Sequence, residues 1–311
     1  MVIDNFHNLY NATFKIKNSF LNKIKVPAIF RLVILQTANI IIPLVLNAQT
    51  QSYEFKLGNK EKKQTDFIVS LTSFPNRIGK VHLVIESLLR QSYCPKRIVL
   101  WLSKEQFSSI EQLPLKLLKL RERGLDIVLT EGDLRSYKKY YFLLKQQPDA
   151  AFIIVDDDVF YKSTVLANLI ETNKNYPKAV CANRCAIINI DKPYSKWEGL
   201  TGESTEPRFD LLPTGCGGVL YPSNSLHEDA LNDKLFSEIC KDADDLWLNS
   251  CAFLNNSLVV FTGHNEYLLE VKSLNNIHLH TKNVGGANND DRIANVRTHY
   301  KTKDGIDVFD R

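Results

Sequence analysis

The apolar run FIIV at 152–155 passes directly into three aspartates, Asp156, Asp157 and Asp158, and no other feature of the sequence restricts the fold as tightly. A strand that is apolar at every position is buried on both faces, the condition of a strand in a parallel sheet covered by helices on both sides. The surrounding sequence follows the same pattern: FIVSLTSF (67–74), RIVLWLS (97–103), DIVLTE (126–131) and KAVCANR (178–184) read as strands. Between them, apolar residues recur at helical spacing over 80–91, 115–123, 137–147 and 164–173. Pro75 is expected to turn the chain after the first strand, and Gly124 to end the second helix. Strands alternating with helices predict an α/β fold with a mostly parallel sheet and helices on both faces. Ligands of such open sheets bind beyond the carboxyl ends of the strands, which singles out 72–77, 132–139 and 156–158.

At that edge an extended backbone sends alternate side chains to opposite faces. Asp156 and Asp158 are therefore expected to point one way and Asp157 the other. Neighbouring carboxylates repel unless a cation neutralises them, and hard oxygen ligands suit Mg²⁺ or Mn²⁺ with positions left open for phosphates. The bland alternative is a solvated acidic turn. An aspartyl-phosphatase motif would need Thr or Val four residues after its first aspartate, and Phe160 stands there.

Charge separates the chain into two parts. The 311 residues carry 39 Lys and Arg against 35 Asp and Glu, too evenly spread for a nucleic-acid footprint. Residues 1–65, however, hold nine basic and three acidic residues, making a basic and apolar N-terminal extension ahead of a domain over 66–311. Lys15, Lys17, Lys23 and Lys25 precede an apolar stretch over 32–46 that follows Arg31 and contains Pro43. A spanning helix needs about 20 apolar residues, and a secretory signal would begin its apolar core sooner. The expected reading is a helix buried on the domain or lying on a membrane surface, with contact through 15–48. The polar residues 60–64 close the extension as a linker. Six cysteines without a CxxC pair read as reduced, mostly buried thiols, and Cys181 with Cys185 lacks the two further ligands of a zinc site.

Five segments occur in order: SLTSFPNRI (70–78), Lys138-Lys139, IIVDDDVFY (153–161), TGCGGVLYP (214–222) and ADDLWL (243–248). Together they resemble bacterial glycosyltransferases of the GT-A fold, the family-2-like enzymes that build capsule, O-antigen and related surface glycans. The resemblance implies a Rossmann-like sheet whose 66–184 half binds the nucleotide-sugar and whose 185–311 half binds the acceptor. It implies that Thr72, Ser73, Phe74 and Arg77 hold the base and ribose, and that Lys139 faces the donor phosphates. Asp156-Asp157-Asp158 is similar to the DxD motif, with Asp156 and Asp158 contacting Mn²⁺ or Mg²⁺ and Asp157 beside the donor. Asp244-Asp245 resembles the second acidic motif, one of whose members is the general base. Ser103 stands where relatives carry a uridine-contacting aspartate, and Asp133 is the candidate substitute. The implied activity is metal-dependent, inverting hexosyl transfer from a nucleotide-sugar, a UDP-sugar by expectation. The implied acceptor is a glycan or lipid-linked oligosaccharide at the cytoplasmic face of the membrane, in surface polysaccharide synthesis.

Several residues keep two readings. Asp245 precedes the buried run Leu246-Trp247-Leu248 and is either a helix cap or the base. The three glycines of 214–218 make either a loop under a sugar or a structural bulge. Trp197 either stacks on a sugar or anchors a core, within a poorly periodic 193–212 segment expected to be a mobile acceptor loop. His278 and His280 are ordinary histidines or contacts to metal or phosphate, and 283–291 is a candidate lid. Two other functions compete. A sugar nucleotidyltransferase usually carries a Gly-rich loop after the first strand, whereas SFPNRIGK has one glycine. A non-catalytic carbohydrate-binding protein would have no need of both acidic motifs.

Overall fold

The computed structural model describes residues 1–16, 19–49, 55–272 and 288–310. Its central sheet has seven strands, β1 (Ile68–Thr72), β2 (Arg97–Ser103), β3 (Leu125–Thr130), β4 (Phe152–Ile154), β5 (Val180–Ala182), β6 (Val219–Tyr221) and β7 (Val259–Phe261). Across the sheet the order is β3-β2-β1-β4-β6-β5-β7. β1 pairs in parallel with β2 and β4, β2 with β3, and β5 with β7, while β6 runs antiparallel between β4 and β5. This is a Rossmann-like, GT-A-like α/β architecture with a mainly parallel sheet.

The pleat divides the core into two layers. Val69, Leu71, Leu100, Ile153 and Val155 face one cluster, and Ile68, Val99, Trp101, Phe152 and Ile154 face the other. Seven helices of nine residues or more are described: α1 (Val2–Phe14), α2 (Val26–Ala48), α3 (Pro75–Leu89), α4 (Lys138–Gln146), α5 (Val165–Asn175), α6 (Asp244–Leu254) and α7 (Asn288–Asp304). Apolar residues of α1, α2, α3 and α5 fill the first layer; those of α4, α6 and α7 fill the second.

Three local expectations change. Pro75 starts α3 instead of merely ending a strand, because its fixed φ and missing N–H suit the first position of a helix, here entered from extended Phe74. β4 stops at Ile154, so the aspartates lie beyond the ladder on a bent chain. The 193–212 segment is not wholly irregular: Glu198–Gly199 and Leu211–Pro213 flank Cys185–Ile187 in a small antiparallel sheet, and Trp197 packs against the core. Gly124 does end its helix, at φ 102°, where a Cβ would come within 2.7 Å of Leu57. The six cysteines are free, and all but Cys216 are buried.

The N-terminal extension is docked on the domain. Ile3, Ala38, Ile42 and Leu46 are buried in the same cluster as Val69 and Leu71. Asp4 accepts from the Ser163 amide at 2.9 Å, and Asn39 donates to the Glu270 carbonyl at 2.9 Å and accepts from the Lys272 amide at 2.8 Å. α2 runs on through Pro43, with the buried residues Ala38, Ile42 and Leu46 to either side of it. His278, His280 and 283–287 of the candidate lid lie outside the described residues, and 288–291 form the first turn of α7.

Candidate functional site

The carboxyl ends of β1 and β4, the start of α4, the glycine turn before β6 and the start of α6 meet at one edge of the sheet. β6 is antiparallel to β4, so the residues entering β6 lie beside those leaving β4. Each acidic motif is thereby brought to the same place from a different part of the chain.

Lys139 joins them. Its ammonium lies 2.6 Å from Asp156 Oδ1 and 3.2 Å from Asp244 Oδ2, with the side chain only 7% exposed. Burial works against its charge, but Asp156, Asp244 and Asp245 hold its pKa well above the ordinary lysine value. Its backbone is fixed from below: Trp101 Nε1 donates to Ser70 Oγ at 2.8 Å, and Ser70 Oγ donates to the Lys139 carbonyl. Lys139 was expected to face donor phosphates; in the ligand-free chain it bridges the two acidic motifs.

The triplet divides between two cations. Arg77 donates through one nitrogen to Asp157 Oδ1 at 2.7 Å and through the other to Asp158 Oδ2 at 2.9 Å, while Ser73 Oγ donates to Asp157 Oδ2 at 2.6 Å. Asp156 goes to Lys139 instead. The simple alternation expected of Asp156 and Asp158 does not hold, because the chain bends once the ladder has ended. Exposure still sorts them: Asp157 is 6% exposed, Asp158 28% and Asp156 30%, so Asp157 is a structural anchor and the other two are accessible. Burial raises the Asp158 pKa to about 7, with Arg77 opposing and Asp156 and Asp157 adding to it. Asp157 is raised by burial despite Arg77.

The second pair divides likewise. Asp244 is held by Lys139, whereas Asp245 Oδ1 accepts only the Gly215 amide among the described contacts, at 3.0 Å. Neither caps α6, whose N-cap Ala243 has no side-chain capping bond. Burial and then the charge of Asp244 push Asp245 up to about 8, against Lys139. The absence of a side chain at Gly215 matters here: a Cβ would lie 3.1 Å from Asp245 Oδ1 and 3.5 Å from Lys139 Nζ. Gly217 and Gly218 serve the chain itself, Gly217 against Arg184 and Gly218 at φ 87°.

Other expected contacts lie further out. Thr72 Oγ1 donates to the Trp101 carbonyl at 2.8 Å, and Phe74 lies under the Arg77 guanidinium at 5.3 Å. Ser103 accepts from the Glu105 amide, and Asp133 is held by Gln106, Lys138 and the Arg135 amide; against its partial burial, Lys138 and Arg135 keep its pKa below the usual value. Tyr161 was not foreseen. Its hydroxyl accepts from the Asp156 amide at 2.8 Å and donates to the Cys216 carbonyl at 3.2 Å, tying the acid loop to the glycine turn. The only signal for it in sequence was an aromatic three residues after the triplet. Beyond Tyr161 and Gly217 lies a small cavity of about 30 Å³, lined among others by Phe160, Tyr161, Lys162, Asn183, Arg184 and His264.

No family model matches the sequence, and no curated protein matches it. Solved structures are similar to it. Residues 1–349 of TarS from S. aureus align with 18% identity and a TM-score of 0.44, over 66% of this chain and 60% of that one. The mannosyltransferase PcManGT from Pyrobaculum calidifontis, in complex with GDP-Man and Mn²⁺, aligns with 12% identity and a TM-score of 0.45, over 87% and 74%. The UTP-bound UGPase from Acinetobacter baumannii aligns with 13% identity and a TM-score of 0.38, over 63% and 85%. Likeness at this level concerns the course of the chain and carries no chemistry.

Proposed function

We propose that the protein is an inverting glycosyltransferase that moves a hexosyl group from a nucleotide-sugar to a glycan acceptor. The observation that carries this reading is the meeting, at one sheet edge, of five carboxylates that share, among the described residues, two cations, Arg77 and Lys139. Such a site has more carboxylates than cations, and burial together with that excess drives Asp158 and Asp245 toward their protonated forms, which a bound cation would oppose. Its donor set fits a hard divalent ion: every ligand atom is a carboxylate oxygen, and Asp156 and Asp158 are both accessible. Asp156 and Asp158 would hold Mg²⁺ or Mn²⁺, which supplies positive charge for the diphosphate leaving group.

In the reaction the acceptor hydroxyl oxygen bonds to the anomeric carbon as the bond to the diphosphate oxygen breaks, and the nucleoside diphosphate leaves with the electron pair. Asp245 takes the hydroxyl proton. Lys139 pairs directly with Asp244, so Asp244 is the poorer base, whereas Asp245 is raised toward the working pH, where a general base contributes roughly 10²–10⁴ in rate. Asp244 and the Gly215 amide position Lys139 and Asp245. Arg77 and Ser73 hold the triplet beside the loop assigned to the base and ribose, with Thr72 and Phe74. The acceptor is assigned as a growing lipid-linked glycan at the cytoplasmic membrane face in surface polysaccharide synthesis.

The test is incubation with UDP-, GDP- and CMP-sugars, with and without Mn²⁺, reading nucleoside diphosphate or monophosphate release. A UDP-sugar is expected to be cleaved in a metal-dependent way, and Asp158→Ala to lower the rate at least 10²–10³-fold, the loss typical of a charge-stabilising group. Full activity in Asp158→Ala would refute the site. Pyrophosphate release from a nucleoside triphosphate and a sugar 1-phosphate would replace transfer with nucleotidylation.

A further inference from the structure

Helix α2 has two different faces. Ala38, Ile42 and Leu46, one helical turn apart, are buried on the domain. The opposite face is also apolar yet open: Ile29, Val33, Ile40 and Leu44 are 59%, 54%, 61% and 62% exposed, with Phe30 and Leu32 beside them. Phe20, in the short helix Ser19–Lys23, and Ile24, on the turn before α2, are open as well, at 66% and 48%. Contiguous open apolar surface of this kind marks an interaction face, since isolated exposed apolar residues are ordinary but a stripe of them is not.

Charge selects the occupant. Between Asp4 and Glu54 the chain holds Lys15, Lys17, Lys23, Lys25 and Arg31 and no acidic residue. Lys15, Lys23 and Lys25 are exposed beside the patch. An apolar face on a segment that carries cations and no anion of its own complements the acyl boundary and headgroups of an anionic bilayer.

The alternative geometry, a crossing helix, conflicts with the docking. At 23 residues α2 is about 34 Å long, enough to span. Its midpoint is nevertheless bonded to the domain through Asn39, at 2.9 Å to the Glu270 carbonyl and 2.8 Å from the Lys272 amide. Insertion across the membrane would strip these bonds and uncover Ala38, Ile42 and Leu46.

We infer that α2 is an in-plane membrane anchor, laying Ile29, Val33, Ile40 and Leu44 into the surface of an anionic bilayer while its other face stays on the domain. The anchor is also tied to the acid loop. The Val271 amide donates to the Asp158 carbonyl at 2.7 Å, Val159 bridges Glu270, and His7 of α1 lies 2.5 Å from the Phe160 carbonyl. The membrane face and the candidate site are therefore held in one fixed relation.

The experiment is flotation of the full chain with phosphatidylcholine vesicles, with and without phosphatidylglycerol, at low and raised salt. It needs no turnover, so its failure leaves the proposed function standing. Binding to the anionic vesicles alone, weakened by salt, is expected. Ile40→Glu should weaken it tenfold or more, and Lys23→Gln and Lys25→Gln about fivefold each, the equivalent of about 1 kcal/mol per charge removed. Both sites are exposed, so the melting temperature in solution should not change. Absence of flotation would overturn the inference, as would unaltered binding by Ile40→Glu. A dimer in solution that Ile40→Glu dissociates, without vesicle binding, would give the face to a second copy. Resistance of the bound protein to alkaline carbonate extraction would establish a crossing helix instead.

Discussion

Two buried clusters of charge lie on this sheet and differ in their balance. On the α3 side, Glu86 receives Arg90 and, at 2.6 Å, Arg123, with all three side chains less than a tenth exposed. Arg123 also donates twice to the Phe55 carbonyl, and Arg90 lies 4.2 Å over the Phe55 ring. Among the described residues, both oxygens of that one anion are taken by guanidinium groups, so no carboxylate oxygen is left for a ligand. At the carboxyl edge, Asp156, Asp157, Asp158, Asp244 and Asp245 share Arg77 and Lys139, and Asp158 and Asp245 are driven up to about 7 and about 8. A cluster that serves only the fold closes its own electrostatics. One that serves a ligand carries a mismatch which the ligand relieves.

That contrast can be broken by exchange of carboxylate for amide. Glu86→Gln should cost about 3–5 kcal/mol of unfolding free energy in urea titration, since it leaves two buried guanidinium groups short of their anion. Asp158→Asn should leave the melting temperature at neutral pH unchanged or higher, because it removes a carboxylate whose charged form burial and its neighbours disfavour. A large loss of stability in Asp158→Asn would make the two clusters equivalent and defeat the comparison.

His82, on the buried face of α3, sharpens the structural side. Burial first, and then Lys116, lower its pKa from 6.5 to about 4. The unfolded chain takes up the proton near 6.5 while the folded chain does not, so the contribution is intact above 6.5 and is lost as pH falls from there to about 4. Over that window the parent should lose roughly 3 kcal/mol more than His82→Gln, measured by denaturant unfolding at each pH. The smallest effect is expected on the functional side. Gly215→Ala must displace Asp245 or Lys139 slightly, and transfer should fall about tenfold with the fold intact, as small misplacements of reacting groups do.

Much of the fold was legible because its signals are local. Largely apolar runs at 68–72, 97–103 and 152–154 announce strands covered on both faces, and Gly124 and Pro75 mark real boundaries, although Pro75 opens a helix. The antiparallel β6 was not legible, since a three-residue strand after a glycine turn looks the same whichever direction it runs. Both acidic motifs stood out as residue types, but their partners did not. Lys139 lies 17 residues from Asp156 and Arg77 lies 80 from Asp157, and neither spacing encodes a contact.

The sequence by itself determined the alternation of strand and helix, the position of the acids at strand and helix ends, and a basic, acid-free N-terminal segment, because each follows from neighbouring residues and short periods. Only the tertiary structure decided that Lys139 bridges two acidic motifs, that Arg77 takes Asp157 and Asp158 together, that Asp245 rests on the Gly215 amide, and that α2 buries one apolar face and opens the other. Those outcomes depend on which strand lies beside which, and that choice is made by burial and charge acting on the whole chain at once.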